Sequence, residues 1–219
     1  MKKTKEHQYN FLLKRKKQAS FGLMSSQVWE DDPKRILFVL SRYKFVAKML
    51  EGKEKVLEIG CADGLGTRIV AQGVKELTAT DFDPIFIKNA KKINKGIKIN
   101  FKVSNILEKK QKSDYDGAYC IDVFEHIAPS LEDNFLTQIC SQLTKSGCLI
   151  IGTPSKESQI YASKASLEGH VNCKSGPDLK NLCLKYFENV FLFSMNDEIV
   201  HTGFTKMAHY LFAICSNKR

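Results

Sequence analysis

The 219-residue chain predicts an α/β fold: a seven-stranded, mostly parallel sheet with helices on both faces and a C-terminal antiparallel hairpin. Three observations carry that expectation. Short apolar runs alternate with helical patterns from Val56 onward. The first run ends in a turn holding Gly60, Gly64 and Gly66. The last two runs have no helical pattern between them, so they are expected to pair antiparallel.

Before the sheet, Asp31, Asp32 and Pro33 read as a helix start. Ile36, Leu37, Leu40, Tyr43, Val46, Ala47 and Leu50 then recur at helical spacing, up to a stop near Gly52. The strands are expected at 56–60, 77–81, 97–103, 117–121, 147–152, 188–194 and 207–215. Helices fit at 65–72, 85–94, 131–144 and 176–186. Residues 105–115 are too polar for a helix, and 195–206 read as a loop. No internal repeat is visible.

Composition narrows the class. The apolar and charged fractions, 43% and 26%, are those of a globular protein, and no run is long enough for a membrane helix. Phe11 to Leu13 are too short for a signal-peptide core. The seven cysteines are scattered, with no C-x-x-C pair, which argues against zinc and disulfides and fits a reducing cytoplasm. No metal is expected. Residues 1–17 hold seven Lys/Arg against one Glu, so most of the net charge of +10 sits in a basic tail. Such a tail reads first as a solvated terminus; contact with an anionic membrane surface or RNA is the minor reading.

The turn after the first strand decides the ligand. Glycines there let a ligand approach the backbone and a helix N-terminus. A dinucleotide fold wants G-x-G-x-x-G, whereas the order here is G-x-x-x-G-x-G. Glu58 and Asp63 would repel a pyrophosphate but suit an ammonium or sulfonium. Asp81 closes the second strand about 20 residues on, where a ribose ligand belongs, while Asp83 before Pro84 reads as a helix cap. Asn105 follows the third strand, either as a ligand or as a turn former. The fourth strand runs into Ile121, Asp122, Glu125 and His126.

The segment Glu58, Gly60, Ala62, Gly64 resembles the E/D-x-G-x-G-x-G motif of class I S-adenosylmethionine (SAM)-dependent methyltransferases, with Ala62 in the middle glycine position. Residues 115–127 resemble the F-D-x-x-x-x-x-D-V-L-E-H-x signature of the ubiquinone-type O-methyltransferases. The resemblance implies a Rossmann-like domain over 31–219, preceded at 1–30 by the tail and a lid segment containing Phe21, Met24 and Trp29. It implies SAM as cofactor and S-adenosylhomocysteine (SAH) as product. Glu58, Gly60, Cys61, Ala62, Asp63, Asp81, Phe82, Asn105, Ile106, Ile121 and Asp122 would bind the cofactor, and Arg42 its carboxylate. His170 and His201, in loops, are candidates for the base that deprotonates an acceptor; His126 could be base, orienting group or helix start. His209 reads as structural.

No D/N-P-P-Y/F motif is present, which tilts the acceptor toward oxygen on a small molecule. Segments 29–35, 42–49 and 196–204 also resemble methyltransferases encoded with bacterial surface-polysaccharide genes, implying a sugar- or nucleotide-linked acceptor. A quinone-precursor O-methyltransferase, an RNA methyltransferase and a non-catalytic SAM- or nucleoside-binding module are the rival readings. A nicotinamide reductase is disfavoured, because Tyr161 and Lys164 lack Tyr-x-x-x-Lys spacing. A monomer or homodimer is expected.

Overall fold

The computed structural model describes residues 19–108 and 113–219; the basic stretch 1–17 lies outside them. Two helices lead, α1 (Leu23–Asp31) and α2 (Lys34–Met49). Then come β1 (Lys55–Ile59), α3 (Thr67–Val70), β2 (Glu76–Asp81), α4 (Pro84–Ile93), β3 (Asn100–Val103) and β4 (Tyr115–Ile121). The second half holds α5 (Glu132–Gln142), β5 (Leu143–Pro154), α6 (Lys164–Gly169), α7 (Gly176–Leu184), β6 (Phe187–Asn196), β7 (Ile199–His201) and β8 (Tyr210–Lys218).

The strands form one sheet in the order β3-β2-β1-β4-β5-β8-β6-β7. β1 to β5 pair in parallel, and β8 inserts antiparallel between β5 and β6. The strand order therefore reverses between β1 and β4, where open α/β sheets bind ligands beyond the strands' carboxyl ends.

Alternating residues explain the two covered faces. Ala118, Cys120, Leu149 and Ile151 pack with Phe135 and Ile139 of α5 and Leu179 and Leu182 of α7. Their neighbours Tyr119, Ile121 and Ile150 face the other way, toward Tyr43 and Val46 of α2 and Leu50 at its end. A period-two pattern on a sheet buried on both sides yields this arrangement. Among the described residues, no helix is long and apolar enough to cross a membrane.

The expected elements recur with shifted ends, and three short ones are additional. The sheet has eight strands rather than seven because β7 occupies three residues of the 195–206 connection. Asp197, at φ 49°, turns the chain back there, and three residues are too few to show a periodicity. Helices α1 and α6 are likewise too short or too weakly amphipathic to register. Asp83 caps α4 by accepting the Ile85 N–H at 2.7 Å, with Pro84 in its first turn.

Gly66 is where α2 meets the loop. A Cβ there would lie 2.2 Å from the Tyr43 ring, so only glycine lets α3 approach α2 this closely. Gly66→Ala should therefore cost about 1–3 kcal/mol through overpacking, read as a lowered midpoint in urea unfolding. An unchanged midpoint would show that Tyr43 is free to swing away.

Candidate functional site

The site is built on the turn between β1 and α3. Gly60 and Gly64 have φ of 76° and 74°, conformations that favour glycine. Ala62, in the middle glycine position, also has positive φ, 44°. An alanine there bears a left-handed cost of about 1–2 kcal/mol, so the departure from glycine is tolerated rather than free. What holds it is Asp81, whose Oδ2 accepts the Ala62 N–H at 3.0 Å. Asp81 Oδ1 accepts the Asp83 N–H at 2.9 Å, so this buried carboxylate joins the ends of β1 and β2. Phe82 beside it is 74% exposed, an aromatic face offered to solvent next to an acid. Cys61 packs in the core with Ala79 and Ile87, its thiol pushed up by burial and then by Glu58.

Glu58 is fully buried beneath the turn. Burial pushes its carboxyl up to about 7, against the opposing pull of the nearby Thr67, Tyr119 and Tyr43 hydroxyls. None of these closes a well-formed hydrogen bond: both Glu58 oxygens, Thr67 Oγ1 and the Tyr119 hydroxyl stand unpartnered. Such a cluster keeps unspent hydrogen-bonding capacity at the glycine turn. Thr67, Tyr43 and Tyr119 were not anticipated as site residues, because in sequence they read only as members of helix and strand patterns.

Asp63 is engaged by the leading helix. Its Oδ2 accepts the Ser25 N–H at 2.7 Å, and both its oxygens receive the Ser25 hydroxyl. Leu23 N–H donates to Asn89 Oδ1, so α1 is latched across the glycine turn at two points. Phe21, Met24 and Trp29 remain about half exposed on this latch, with Phe21 and Trp29 in ring contact at 5.4 Å. Asn105 Oδ1 accepts the Leu107 N–H at 3.0 Å, which is the turn-forming role. Ile106 packs into the main core, and Ile121 into the core on the α2 face.

At the end of β4, Asp122 adopts φ 57°. Arg42 Nη1 donates to both its oxygens at 2.9 and 2.8 Å, and the guanidinium lies 3.8 Å from the Tyr210 ring centre. Burial opposes the Arg42 charge, but Asp122, with Tyr210 and Glu125, outweighs it and raises the pKa. Arg42, which the sequence places as a candidate for the cofactor carboxylate, bonds Asp122 through Nη1.

Beyond Asp122, Glu125 is buried, and its Oε2 accepts the Thr153 hydroxyl at 3.1 Å. Burial and then Asp122 raise its pKa. His126 Nδ1 faces the Gly169 carbonyl at 2.9 Å, and His170 Nδ1 faces Gln159 Oε1 at 2.9 Å. The two imidazoles meet edge to face with centres 5.3 Å apart. The fold thus unites two of the three candidate histidines. His201 stands apart on β7, receiving the Gly203 N–H and contacting Asn196 Oδ1. Four strand spacings, roughly 19 Å, separate β7 from β4 in the sheet. His209, half-buried near Phe38, lies in the connection before β8.

The profile of a methyltransferase domain family matches residues 19–189, most of the chain. The chain belongs to this family, the class I SAM-dependent methyltransferases. It is 26% identical over 135 residues to the ubiquinone biosynthesis O-methyltransferase of Xanthomonas axonopodis pv. citri, covering 58% of this chain and 55% of that one. The Xanthomonas campestris pv. campestris (strain B100) protein of the same name is 24% identical over 151 residues, covering 65% and 62%. The chain thus spans little more than half the length of these curated relatives.

Among solved structures, N-methyltransferase NodS of Bradyrhizobium japonicum WM9, in complex with SAH, aligns with TM-score 0.58 and 19% identity, covering 86% of this chain and 87% of NodS. A TehB-like SAM-dependent methyltransferase of Corynebacterium glutamicum aligns at 0.63 and 19%, covering 89% and 96%. These structures share the fold: a Rossmann-like, mostly parallel sheet with C-terminal antiparallel strands.

Glu58 makes a pH-dependent prediction. Between its ordinary 4.5 and about 7, the unfolded chain releases this proton while the folded chain keeps it. Its contribution to stability therefore falls as pH rises through that window, by up to about 3 kcal/mol. Glu58→Gln should remove this component. In ligand-free thermal melts, the variant should gain several degrees on wild type between pH 5 and pH 8. A constant offset across that range would mean Glu58 titrates normally.

Proposed function

We propose that the chain transfers a methyl group from SAM to an oxygen of a small molecule. The observation that carries this is the juxtaposition, at one sheet edge, of a glycine turn with flanking acids and a pair of imidazoles just past β4. The residues present fit the cofactor. Asp81 spends one bond from each oxygen on the backbone, and a carboxylate oxygen has a second lone pair for a ribose hydroxyl. Glu58 supplies a buried acid without a well-formed partner, suited to the α-ammonium. Phe82 supplies an exposed aromatic face beside the ribose position.

SAM supplies a sulfonium methyl: the acceptor oxygen forms the C–O bond as the C–S bond breaks, and the sulfur keeps that electron pair. The chain's task is to bind, orient and exclude water. Asp122, held by Arg42, flanks the methionine part. The Ser25–Asp63 latch places α1 over the turn as a lid, with Trp29 and Phe21 limiting water entry. The acceptor's hydroxyl proton leaves toward the His126–His170 pair, whose Nδ1 atoms already have partners, so the Nε2 lone pairs are the free ones.

The acceptor we carry forward is a sugar- or nucleotide-linked precursor of a bacterial surface glycan, supported by the three terminal segments described above. A ring hydroxyl of a quinone precursor is the second reading. Two observations favour it: the names of the Xanthomonas relatives, and the exposed apolar side chains Ile160, Tyr161, Leu167 and Val171 on the segment after β5. Polar glycan acceptors and apolar phenols are thus the two arms of an acceptor screen.

Calorimetry tests the cofactor assignment. SAH should bind wild type, and Asp81→Ala should weaken it roughly 10- to 100-fold, the loss of hydrogen bonds to a charged group. Absence of SAH binding to wild type, or full affinity in the variant, would sink the proposal.

A further inference from the structure

The sequence led us to expect no metal, because the cysteines lack ligand spacing. Tertiary structure brings together a different donor set. One ligand atom from each of Glu125, His126 and His170 lies within 4.8 Å of the others, at the sheet edge beside the proposed acceptor position. We propose that these three residues form a divalent-cation site that holds the acceptor oxygen. This deepens the reading above and depends on it for the role of the ion, though not for its binding.

Four features argue for a built site. First, the tautomers are preset. The Gly169 carbonyl can only accept, so His126 carries its proton on Nδ1 and leaves the Nε2 lone pair free. Gln159 Oε1 makes the corresponding contact with Nδ1 of His170. Outer partners of this kind orient imidazole ligands at metal sites.

Second, Glu125 is held in place. Its carboxylate is anchored through one oxygen to Thr153, and its backbone carbonyl accepts the Val171 and Asn172 N–H groups at 2.9 and 3.0 Å. The loop carrying His170 is therefore tied to the residue beside His126.

Third, one donor is a buried carboxylate. Glu125 is 1% exposed, and Arg42 Nη1 donates to Asp122. Buried carboxylates are paired or bind metals.

Fourth, one side of the site is open. His126 is exposed and His170 partly so, which leaves coordination positions for water or an acceptor oxygen. Two imidazoles and a carboxylate suit first-row ions such as zinc, manganese or iron(II) better than magnesium or calcium. Donors bound to one such ion lie roughly 3–4 Å apart, so side-chain shifts of about an ångström complete the site. The ion would lower the pKa of a coordinated hydroxyl, whose proton would then leave to solvent water through the open side of the site, in place of the direct transfer to an imidazole available without metal.

The test is binding, not turnover. The full chain, stripped with EDTA, is titrated by calorimetry with zinc and with manganese, and cobalt(II) absorption is followed in parallel. One ion per chain is expected, with cobalt bands characteristic of nitrogen and oxygen donors. His170→Ala and, separately, His126→Ala should weaken metal binding at least ~100-fold, and Gln159→Ala ~10-fold. SAH affinity and melting temperature in the absence of metal should match wild type in all three.

Three results would overturn the site: no saturable one-equivalent binding by wild type, wild-type metal affinity in a variant that still binds SAH, or thiolate bands in the cobalt spectrum, which would assign the ion to cysteines. Metal binding without SAH binding would leave the cation site standing and remove the proposed methyl transfer.

Discussion

The Arg42–Asp122 pair ties together three parts of the molecule. Arg42 comes from α2, Asp122 from the end of β4, and Tyr210, on which the guanidinium stacks, from β8. The pair sits where strand order reverses, so it fixes the helix ahead of the sheet to both sides of the ligand crevice. Desolvating the two charges costs several kcal/mol per ion, which the double contact and the cation–π contact offset. It also holds Asp122 at positive φ, and that backbone turn sends the chain toward Glu125 and His126. Strain of this kind persists only where the surroundings over-determine it.

Two buried glutamates flank that pair, and their environments separate their tasks. Glu58 lies among hydroxyls at the glycine turn, while Glu125 lies between Thr153 and two imidazoles. Both are raised by burial, yet one faces the proposed cofactor and the other the proposed acceptor. Environment rather than residue type sets what each carboxyl does. The latch of Ser25 on Asp63 adds a third acidic contact, which ties the leading helix to the glycine turn.

Much of the fold was legible because its signals are local. Alternating apolar runs, the glycine turn and Asp83-Pro84 each depend on neighbours within a few residues. The same holds for Glu58 and Asp81, which stand at strand ends that periodicity alone locates. Strand β7 and helices α1 and α6 escaped because they are short or weakly patterned. Asn105 Oδ1 accepts the Leu107 N–H, a contact two residues away and so of the same local kind.

By itself, then, the sequence determined the alternating architecture, the family and the positions of the acids around the glycine turn, since those rest on short-range pattern. Only the tertiary structure decided which distant groups meet. It set Arg42 on Asp122, 80 residues away, and Ser25 on Asp63, 38 residues away. His126 and His170 are joined by one imidazole–carbonyl bond and two backbone bonds to Glu125, while His201 is carried to the far edge of the sheet. Contacts of that separation arise from strand order and loop closure. No window of neighbouring residues encodes them, which is why a cation site can be absent from the motif pattern and present in the fold.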